Sequence, residues 1–439
     1  MFNIERTNTT GIPQASATAP EIDDNKMTPL AWKVLLFVFL GWVIDAADGT
    51  IYSLTLTSIR NEFNLSLTQM GMIASAFLGG TVIGSFLIPM LAEKKGRKIG
   101  MILSISLYSL FTGVVGIARN AITVAFGRFF TGWGTGAEWP IGAAYLTEMV
   151  PTKKRAWAMG IMQAGYPIGY FLAAGIFAIF MAQNWGWRGC YLVLVTPAIM
   201  CIPLRATLKE SSTWLKNQEE LNKGLITGER DQKKANLREL FKSKYRKFTI
   251  LATALHVFGA VFSWGLVVWV PSAVMLDFHV DKVRTAQFVM FSWGVATFGY
   301  LAAGPLADRY GRKRILTLYT TIGLIAVLAL NYLRTLPTVS HVYLYVLGAF
   351  IGTAVGANVI YITYTSEIYP SHVRTLGLGF SVSTGKVAAV FTPTVMGMIA
   401  QRSSVTFALL LSAVIGMLMV PLIYSGPETA QKKLEDIVN

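Results

Sequence analysis

Twelve long apolar segments occupy most of this sequence, and each is long enough to cross a membrane as a helix. A hydrocarbon core about 30 Å thick needs about 20 consecutive apolar residues. Only 14% of the 439 residues are charged, whereas about 25% is usual in a soluble protein. We therefore predict an all-α membrane protein with twelve transmembrane helices. The predicted spans are 30–56, 68–92, 97–118, 121–147, 156–182, 187–207, 247–275, 284–307, 313–334, 341–366, 374–400 and 404–426.

Lys and Arg are distributed unevenly among the connections between these spans. Counted together with the charged residues at the adjoining span ends, the connections after even-numbered spans carry 23 of them, and those after odd-numbered spans carry 7. Because positive charge collects on the cytoplasmic side, both termini are expected inside, in a multi-pass protein of the cell inner (plasma) membrane. Topology therefore explains the net charge of +15, and no nucleic-acid partner is predicted.

The long polar connection in the middle of the chain separates six spans from six. It is expected to be a cytoplasmic linker, and whether 213–222 forms a surface helix within it is left open. The N-terminal segment has no signal-peptide pattern. The predicted units are a polar N-terminal tail (1–28), an N-terminal six-helix bundle (29–207), the linker (208–246), a C-terminal six-helix bundle (247–426) and a C-terminal tail (427–439).

Two short motifs recur between the halves of the chain at nearly one offset. Residues 304–313 (GPLADRYGRK) repeat residues 89–98 (PMLAEKKGRK) at an offset of 215. Residues 367–374 (EIYPSHVR) repeat residues 148–155 (EMVPTKKR) at an offset of 219. The chain is therefore predicted to be a duplicated six-helix unit, and such repeats place a substrate site between the halves near the bilayer midplane.

The 304–313 motif and its first-half twin resemble the signature of the major facilitator superfamily, and the resemblance covers all twelve spans. Residues 45–48 (DAAD), 128–142 and 186–188 (GWR) further resemble proton-coupled organic-acid symporters, with the sialate:proton group nearest and the aromatic acid symporters next. The resemblance implies a gating role for the residues of the repeated loops. They are Glu93, Gly96, Arg97, Glu148, Arg155, Asp308, Gly311, Arg312, Glu367 and Arg374.

One of these loops departs from the family pattern. Glu93 stands where the family prefers Asp, and Pro89 stands where it prefers Gly. The extra methylene of Glu93 loosens the geometry with which its carboxylate accepts hydrogen bonds. Both loops also fit a simpler interpretation, in which they only anchor the topology on the cytoplasmic side.

Five charged candidates lie well inside the predicted spans, away from the span ends, where each costs about 2.5–3.5 kcal/mol and usually faces a cavity. Asp45, Asp48 and Glu138 are predicted to take part in proton coupling, and Arg128 and Lys386 to bind an anionic substrate. The rise per residue places Asp48 and Arg128 at one level. A fixed Asp48–Arg128 bridge, a structural role for Glu138 and a carboxylate partner for Lys386 are the alternatives. These acids outnumber the cations by one.

Polar and aromatic residues inside the spans are further candidates. Gln163, Tyr166, Asn358 and Tyr52 are predicted to contact substrate, although a helix bend or ordinary packing would also account for them. His256 fits either proton transfer or packing.

Together these features predict a secondary active transporter that imports a small organic anion with protons by alternating access. Facilitated or proton-coupled transport of a neutral sugar or polyol, and export by antiport, are the alternatives. No nucleophile–base spacing indicates an enzyme, no phosphate-binding loop indicates ATP, and no ligand cluster indicates a metal or other cofactor. The expected partners are the organic anion, protons and the lipid bilayer, and a monomer is expected.

Overall fold

The computed structural model describes residues 27–151, 154–222, 237–369 and 371–430, and their regular structure is helical. Six long helices form the N-terminal bundle, in which α1 packs on α5 and α4 packs on both α2 and α3. They are α1 (Pro29–Phe63), α2 (Leu67–Lys95), α3 (Arg97–Gly116), α4 (Ala121–Met149), α5 (Arg155–Ala182) and α6 (Gly186–Ala206).

Two short helices follow, α7 (Ser212–Asn222) and α8 (Leu237–Leu240), so the segment left open over 213–222 is helical. The C-terminal bundle comprises the remaining eight helices, in which α9 packs on α14 and α10 on α12. They are α9 (Ser243–Leu276), α10 (Lys282–Tyr310), α11 (Arg312–Leu333), α12 (His341–Val355), α13 (Ala357–Glu367), α14 (Ser371–Arg402), α15 (Val405–Met417) and α16 (Met419–Ser425). Most of both predicted tails lies outside the described residues.

Eleven helical stretches of the described chain are long and apolar enough to cross a membrane. Helices α12 and α13 count as one stretch, His341–Glu367, and α15 and α16 as another, Val405–Ser425. Helix α4 has 29 residues but is not among the eleven, because charged residues and glycines lower its hydropathy. The prediction of an all-α membrane protein is therefore confirmed.

Local sequence signals account for where these helices begin and end. Ser66 and Gln69 form a capping box at the start of α2. Gly96 separates α2 from α3 with φ of 108°, and Gly311 separates α10 from α11 with φ of 101°. Residues other than glycine rarely adopt this backbone conformation. Each repeated loop therefore needs its glycine, at which one helix ends and the next begins.

The two bundles contact each other where the N-terminal half of α2 crosses the C-terminal half of α14. The Ser75 and Thr394 hydroxyls lie 2.7 Å apart, and the Leu67 backbone N–H donates to Gln401 Oε1 at 2.8 Å. Helices α5 and α10 also meet, with the Tyr170 and Trp293 ring centroids 4.0 Å apart.

Candidate functional site

Asp48 of α1 and Arg128 of α4 form a fully buried ion pair inside the N-terminal bundle. Arg128 Nη1 donates to Asp48 Oδ2 at 2.5 Å, and the side chains are 1% and 0% exposed respectively. The Thr112 hydroxyl of α3 donates to the other oxygen, Asp48 Oδ1, at 2.9 Å. These contacts bring together two residues whose predicted depths in the membrane were the same. They also connect three helices.

Two aromatic rings enclose the Arg128 guanidinium. Its central carbon lies 4.6 Å from the Tyr52 ring centroid and 4.2 Å from that of Phe77, distances at which a cation is attracted to a ring face. The Tyr52 hydroxyl donates to the Met70 carbonyl at 2.9 Å. Arg128 Nε has no hydrogen-bond partner among the described residues, so one donor of the guanidinium is unused.

Asp45 lies one helical turn before Asp48 and is only half-buried. It has no ion-pair partner in the described part of the chain, although Glu138, Asp48 and Arg128 are its electrostatic neighbours and the Thr135 hydroxyl faces it. Asp45 and Asp48 therefore differ in their partners, since Arg128 contacts only Asp48 directly.

Glu138 pairs with Arg205 of α6, a cation that sequence reasoning did not place inside the bundle. Both side chains are almost fully buried, and Arg205 donates through two nitrogens to the two carboxylate oxygens. The Ser104 hydroxyl also donates to Glu138 Oε2 at 3.0 Å, and Arg205 Nη1 donates to the Met101 carbonyl at 2.8 Å. The count of embedded charges predicted from sequence was therefore wrong, because Arg205 makes it three acids and three cations.

Lys386 of α14 lines a cavity of about 120 Å³ in the C-terminal bundle. His256, Trp264, Asn358 and Tyr361 contribute to the same wall. Within the described ranges Lys386 has no ion-pair partner, so the alternative of a helix carboxylate beside it finds no support there. This cavity combines an ammonium group with aromatic rings and polar side chains, which is typical of a small-molecule site.

The structure divides the polar candidates between the two bundles. The Ser263 hydroxyl donates to Asn358 Oδ1 at 2.8 Å beside Lys386. The Tyr166 hydroxyl lies 3.3 Å from that of Tyr170, on the aromatic contact between α5 and α10. Gln163 is exposed and accepts from Trp139 Nε1 at 3.0 Å, so it lies apart from the buried charges.

The repeated loops form two matching clusters. Arg97 Nη2 lies 3.2 Å from Glu148 Oε1, and Arg312 Nη2 lies 2.9 Å from Glu367 Oε1. Asp308 Oδ1 also contacts Arg312 Nη1 at 2.6 Å. The Glu93 carboxylate, by contrast, is exposed and forms no ion pair with any described residue, in agreement with its departure from the family pattern.

Two further glutamates complete these clusters and were not predicted. Glu210 accepts from the backbone N–H groups of Arg97 and Lys98 at 2.9 and 3.2 Å. Glu428 accepts from those of Arg312 and Lys313 at 3.0 and 3.3 Å. Each carboxylate caps the start of a helix whose capping position is a glycine without a side chain.

The other two arginines of the predicted gating set, Arg155 and Arg374, take no part in the ion pairs described above. Arg374 Nε donates to the Tyr369 carbonyl at 3.2 Å, which holds the turn before α14. Arg155 is exposed at the start of α5.

Comparison with known proteins decides the family. The model described as Major Facilitator Superfamily matches residues 38–362 and 285–437. The chain belongs to the major facilitator superfamily. This assignment confirms the predicted membrane transporter, and the relatives described next confirm the predicted resemblance to organic-acid carriers.

Several relatives in the superfamily are named for the organic acids they carry. The chain is 27% identical to the cis,cis-muconate transport protein of Acinetobacter baylyi, over 85% of this chain and 89% of that protein. It is 28% identical to the gentisate transporter of Corynebacterium glutamicum, over 88% of this chain and 86% of that protein. It is 27% identical to the benzoate transport protein of Acinetobacter baylyi, over 92% and 91%.

Solved structures show the same fold. The D-xylose–proton symporter superposes with a TM-score of 0.75 at 17% identity, over 92% of this chain and 99% of that one. The inward-open xylose transporter from E. coli gives 0.75 at 19% identity, over 93% and 99%. At this level of identity the likeness concerns the superfamily fold and carries no information on substrate.

Proposed function

We propose that the protein is a proton-coupled symporter of the inner membrane that imports a small organic anion by alternating access. It has twelve transmembrane helices in this proposal, with α4 as the twelfth and with both termini cytoplasmic. The observation that carries the proposal is the pairing of the embedded charges. Two acid–cation pairs are closed, Asp48–Arg128 and Glu138–Arg205, whereas Asp45 and Lys386 have no ion-pair partner in the described chain.

This pairing suggests how charge is balanced during transport. An anion bound at Lys386 neutralises the cation and leaves Asp45 as the uncompensated embedded charge. A proton on Asp45 then makes the loaded site neutral, which lowers the cost of moving the site through an occluded state. We therefore assign the coupled proton to Asp45, expect one proton per monoanion, and assign Glu138 a structural role beside Arg205.

The substrate class is supported by the relatives and by the cavity. The similar transporters named for muconate, gentisate and benzoate all concern carboxylates. A carboxylate suits Lys386, and the rings of Trp264 and Tyr361 in the same wall suit a flat apolar body. An organic acid, aromatic acids included, therefore fits this site better than a neutral sugar, which would leave the ammonium group unpaired.

The contacts between the bundles support alternating access. In the proposed topology the α2–α14 and α5–α10 contacts lie on the periplasmic side, so this conformation is closed outside. In this topology the repeated loops lie on the cytoplasmic side, where each cluster holds two consecutive transmembrane spans of its own bundle together. Rocking of the two bundles about the central site would exchange which end is closed.

Proton flux in proteoliposomes tests this proposal. Benzoate added outside is expected to acidify the lumen at one proton per benzoate, and uptake should respond to a pH gradient but not to membrane potential. Lumenal alkalinisation would instead indicate antiport. Xylose supplies the neutral-sugar control, and transport of xylose in place of benzoate would contradict the proposed substrate class.

The Asp45→Asn variant tests the assignment of the proton. We expect it to lose accumulation driven by a pH gradient while benzoate counterflow, which needs no net proton movement, persists. Asp48→Asn is the matched comparison and should impair both activities, because it leaves Arg128 without its carboxylate. If Asp45→Asn accumulates benzoate normally and Asp48→Asn loses accumulation alone, Asp48 is the proton carrier.

A further inference from the structure

His256 of α9 is a buried polar group in the C-terminal bundle that the proposed transport cycle leaves unused. Its side chain is 4% exposed, and within the described chain neither ring nitrogen has a hydrogen-bond partner. A neutral imidazole carries one donor and one acceptor, and leaving both unpaired in a protein interior is costly. Buried groups of this kind are rare and call for an explanation such as an absent ligand or water.

The position of His256 indicates a ligand. It lines the same cavity of about 120 Å³ as Lys386, and a space of this size holds several water molecules or a small organic ligand. The two residues come close through the helix backbones, because a side chain on Gly385 would meet the His256 carbonyl oxygen at 2.9 Å. The glycine before Lys386 thus lets α14 pack directly against the histidine.

Two aromatic rings complete this part of the wall. The His256 and Tyr361 ring centroids lie 5.3 Å apart at an interplanar angle of 62°, and Trp264 lies on the same cavity. Asn358 is already engaged by the Ser263 hydroxyl. The wall therefore offers the Lys386 ammonium and the His256 imidazole beside flat apolar surfaces, and the Tyr361 hydroxyl and the Trp264 indole N–H are further polar groups on it.

We propose that His256 binds a second polar group of the transported anion while the carboxylate lies at Lys386, so that this cavity selects hydroxylated aromatic acids over benzoate. The inference rests on the proposed organic-anion transport and adds a specificity-determining residue to it. A hydroxyl group matches the imidazole because it can donate to the acceptor nitrogen or accept from the N–H. An unsubstituted ring leaves both nitrogens unpaired.

Equilibrium binding of a ligand series to the purified full-length protein in detergent tests this inference. The probes are benzoate and its 2-, 3- and 4-hydroxy derivatives, which share the carboxylate and the ring. We expect the wild-type protein to bind at least one hydroxybenzoate about fivefold or more tighter than benzoate, the ratio of one or more net hydrogen bonds. His256→Phe keeps a ring against Tyr361 and should bind that isomer and benzoate equally.

Two comparisons separate specificity from packing. His256→Asn retains a donor and an acceptor and should recover part of the preference for the hydroxybenzoate. His341→Phe removes a histidine outside the cavity and should leave that preference unchanged. Equal weakening of every ligand by His256→Phe would make His256 a packing residue and overturn the inference. A wild-type protein that binds all four acids equally would do the same.

A measurement on the wild-type protein tests the same inference without requiring any variant to fold. The chain contains four histidines, so ¹⁵N labelling of imidazoles gives few resonances to assign. The His256 ring nitrogens are expected to shift with the preferred hydroxybenzoate and not with benzoate, and the absence of any such difference contradicts the inference. If the wild-type protein binds none of these carboxylates, the proposed function itself fails. Benzoate transport without a His256 effect rejects the specificity role alone.

Discussion

The N-terminal bundle holds two buried arginines, Arg128 and Arg205, and each contacts a carboxylate, whereas Lys386 in the C-terminal bundle contacts none that the structure describes. Paired buried charges resist change, because separating them costs several kcal/mol. An unpaired ammonium on a cavity is ready for an anion. The two bundles therefore differ in their described interiors: the N-terminal bundle holds paired charges, and the C-terminal bundle holds an ammonium group without a carboxylate partner, as the proposed anion site needs.

The ends of the bundles that carry the repeated loops show the opposite relation. Arg97, Glu148 and Glu210 form one cluster, and their repeat counterparts Arg312, Glu367 and Glu428 form another with the same contacts. In the interior the repeat offset of 219 aligns Glu138 with Ala357, Arg128 with Leu347 and Lys386 with Pro167. The ends of the repeat have therefore kept their contacts while the interiors have diverged, which fits the proposed gate and the proposed substrate site.

Of the proposed substitutions, removing the Arg205 cation should have the largest effect on the stability of the protein. Arg205→Leu leaves the Glu138 carboxylate buried without its partner, which costs about 3–5 kcal/mol and should lower the unfolding temperature in detergent sharply. Replacing both residues, Glu138→Leu with Arg205→Leu, should recover most of that loss because no unpaired charge remains. If the single variant unfolds like the wild type, the pair does not stabilise the N-terminal bundle.

Substituting Lys386 tests the proposed anion site in the C-terminal bundle. Lys386→Gln should raise the KM for benzoate uptake about tenfold or more, because a charge-assisted hydrogen bond contributes about 1.5–3 kcal/mol. The unfolding temperature should change little, since no described carboxylate loses a partner. Lys386→Arg keeps the charge and serves as the control. An unchanged KM in Lys386→Gln would remove this residue from the substrate site.

The tightness of helix packing also differs between the bundles. Gly84 of α2 and Gly299 of α10 correspond at the repeat offset of 215. A side chain on Gly84 would lie 1.9 Å from the Trp133 carbonyl oxygen, whereas one on Gly299 would meet the movable Thr353 side chain at 2.6 Å. We expect Gly84→Ala to destabilise the protein by about 1–3 kcal/mol and Gly299→Ala by less. Equal thermal shifts for the two variants would contradict this difference.

Much of this arrangement could be predicted from the sequence. Long apolar spans and the duplicated motifs identify the fold, because a membrane interior admits few alternatives to helices. Asp48, Arg128 and Lys386 are visible as isolated charges within apolar stretches. The common level of Asp48 and Arg128 followed from depth, because each residue of a helix adds a fixed rise, but depth left open whether the two residues form a bridge.

The missed residues lie where sequence gives weaker signals. Arg205 is near the end of α6 and looks like a boundary charge, but its long side chain reaches inward to Glu138. Glu210 and Glu428 follow the last span of each half in polar segments, where charges are common. Their offset of 218 close to that of the motifs was a usable signal, because it places both at one position of the repeat.

The smallest expected effect tests whether the two bundle ends that carry the repeated loops are equivalent. Burial raises the pKa of Glu428, but the backbone N–H groups of Ala430, Arg312, Lys313 and Thr429 outweigh it and hold the pKa below its usual value. A lowered pKa in the folded state stabilises the protein above the unfolded-state pKa, and this contribution disappears as the pH falls through the folded-state pKa. Glu428→Gln should therefore cost about 1 kcal/mol near neutral pH, as the loss of a helix cap does.

The pH dependence makes this last expectation specific. The difference in unfolding free energy between Glu428→Gln and the wild type should be largest at pH 7 and should narrow as the pH falls below the unfolded-state pKa of about 4.3. It should disappear below the lower folded-state pKa, where the wild-type carboxyl group is protonated too. Glu210→Gln is the matched variant, because Glu210 accepts the equivalent two backbone N–H groups in the N-terminal bundle. Similar losses at pH 7 would support equivalent ends. A loss confined to one variant would mean that the two loops have diverged as their interiors have.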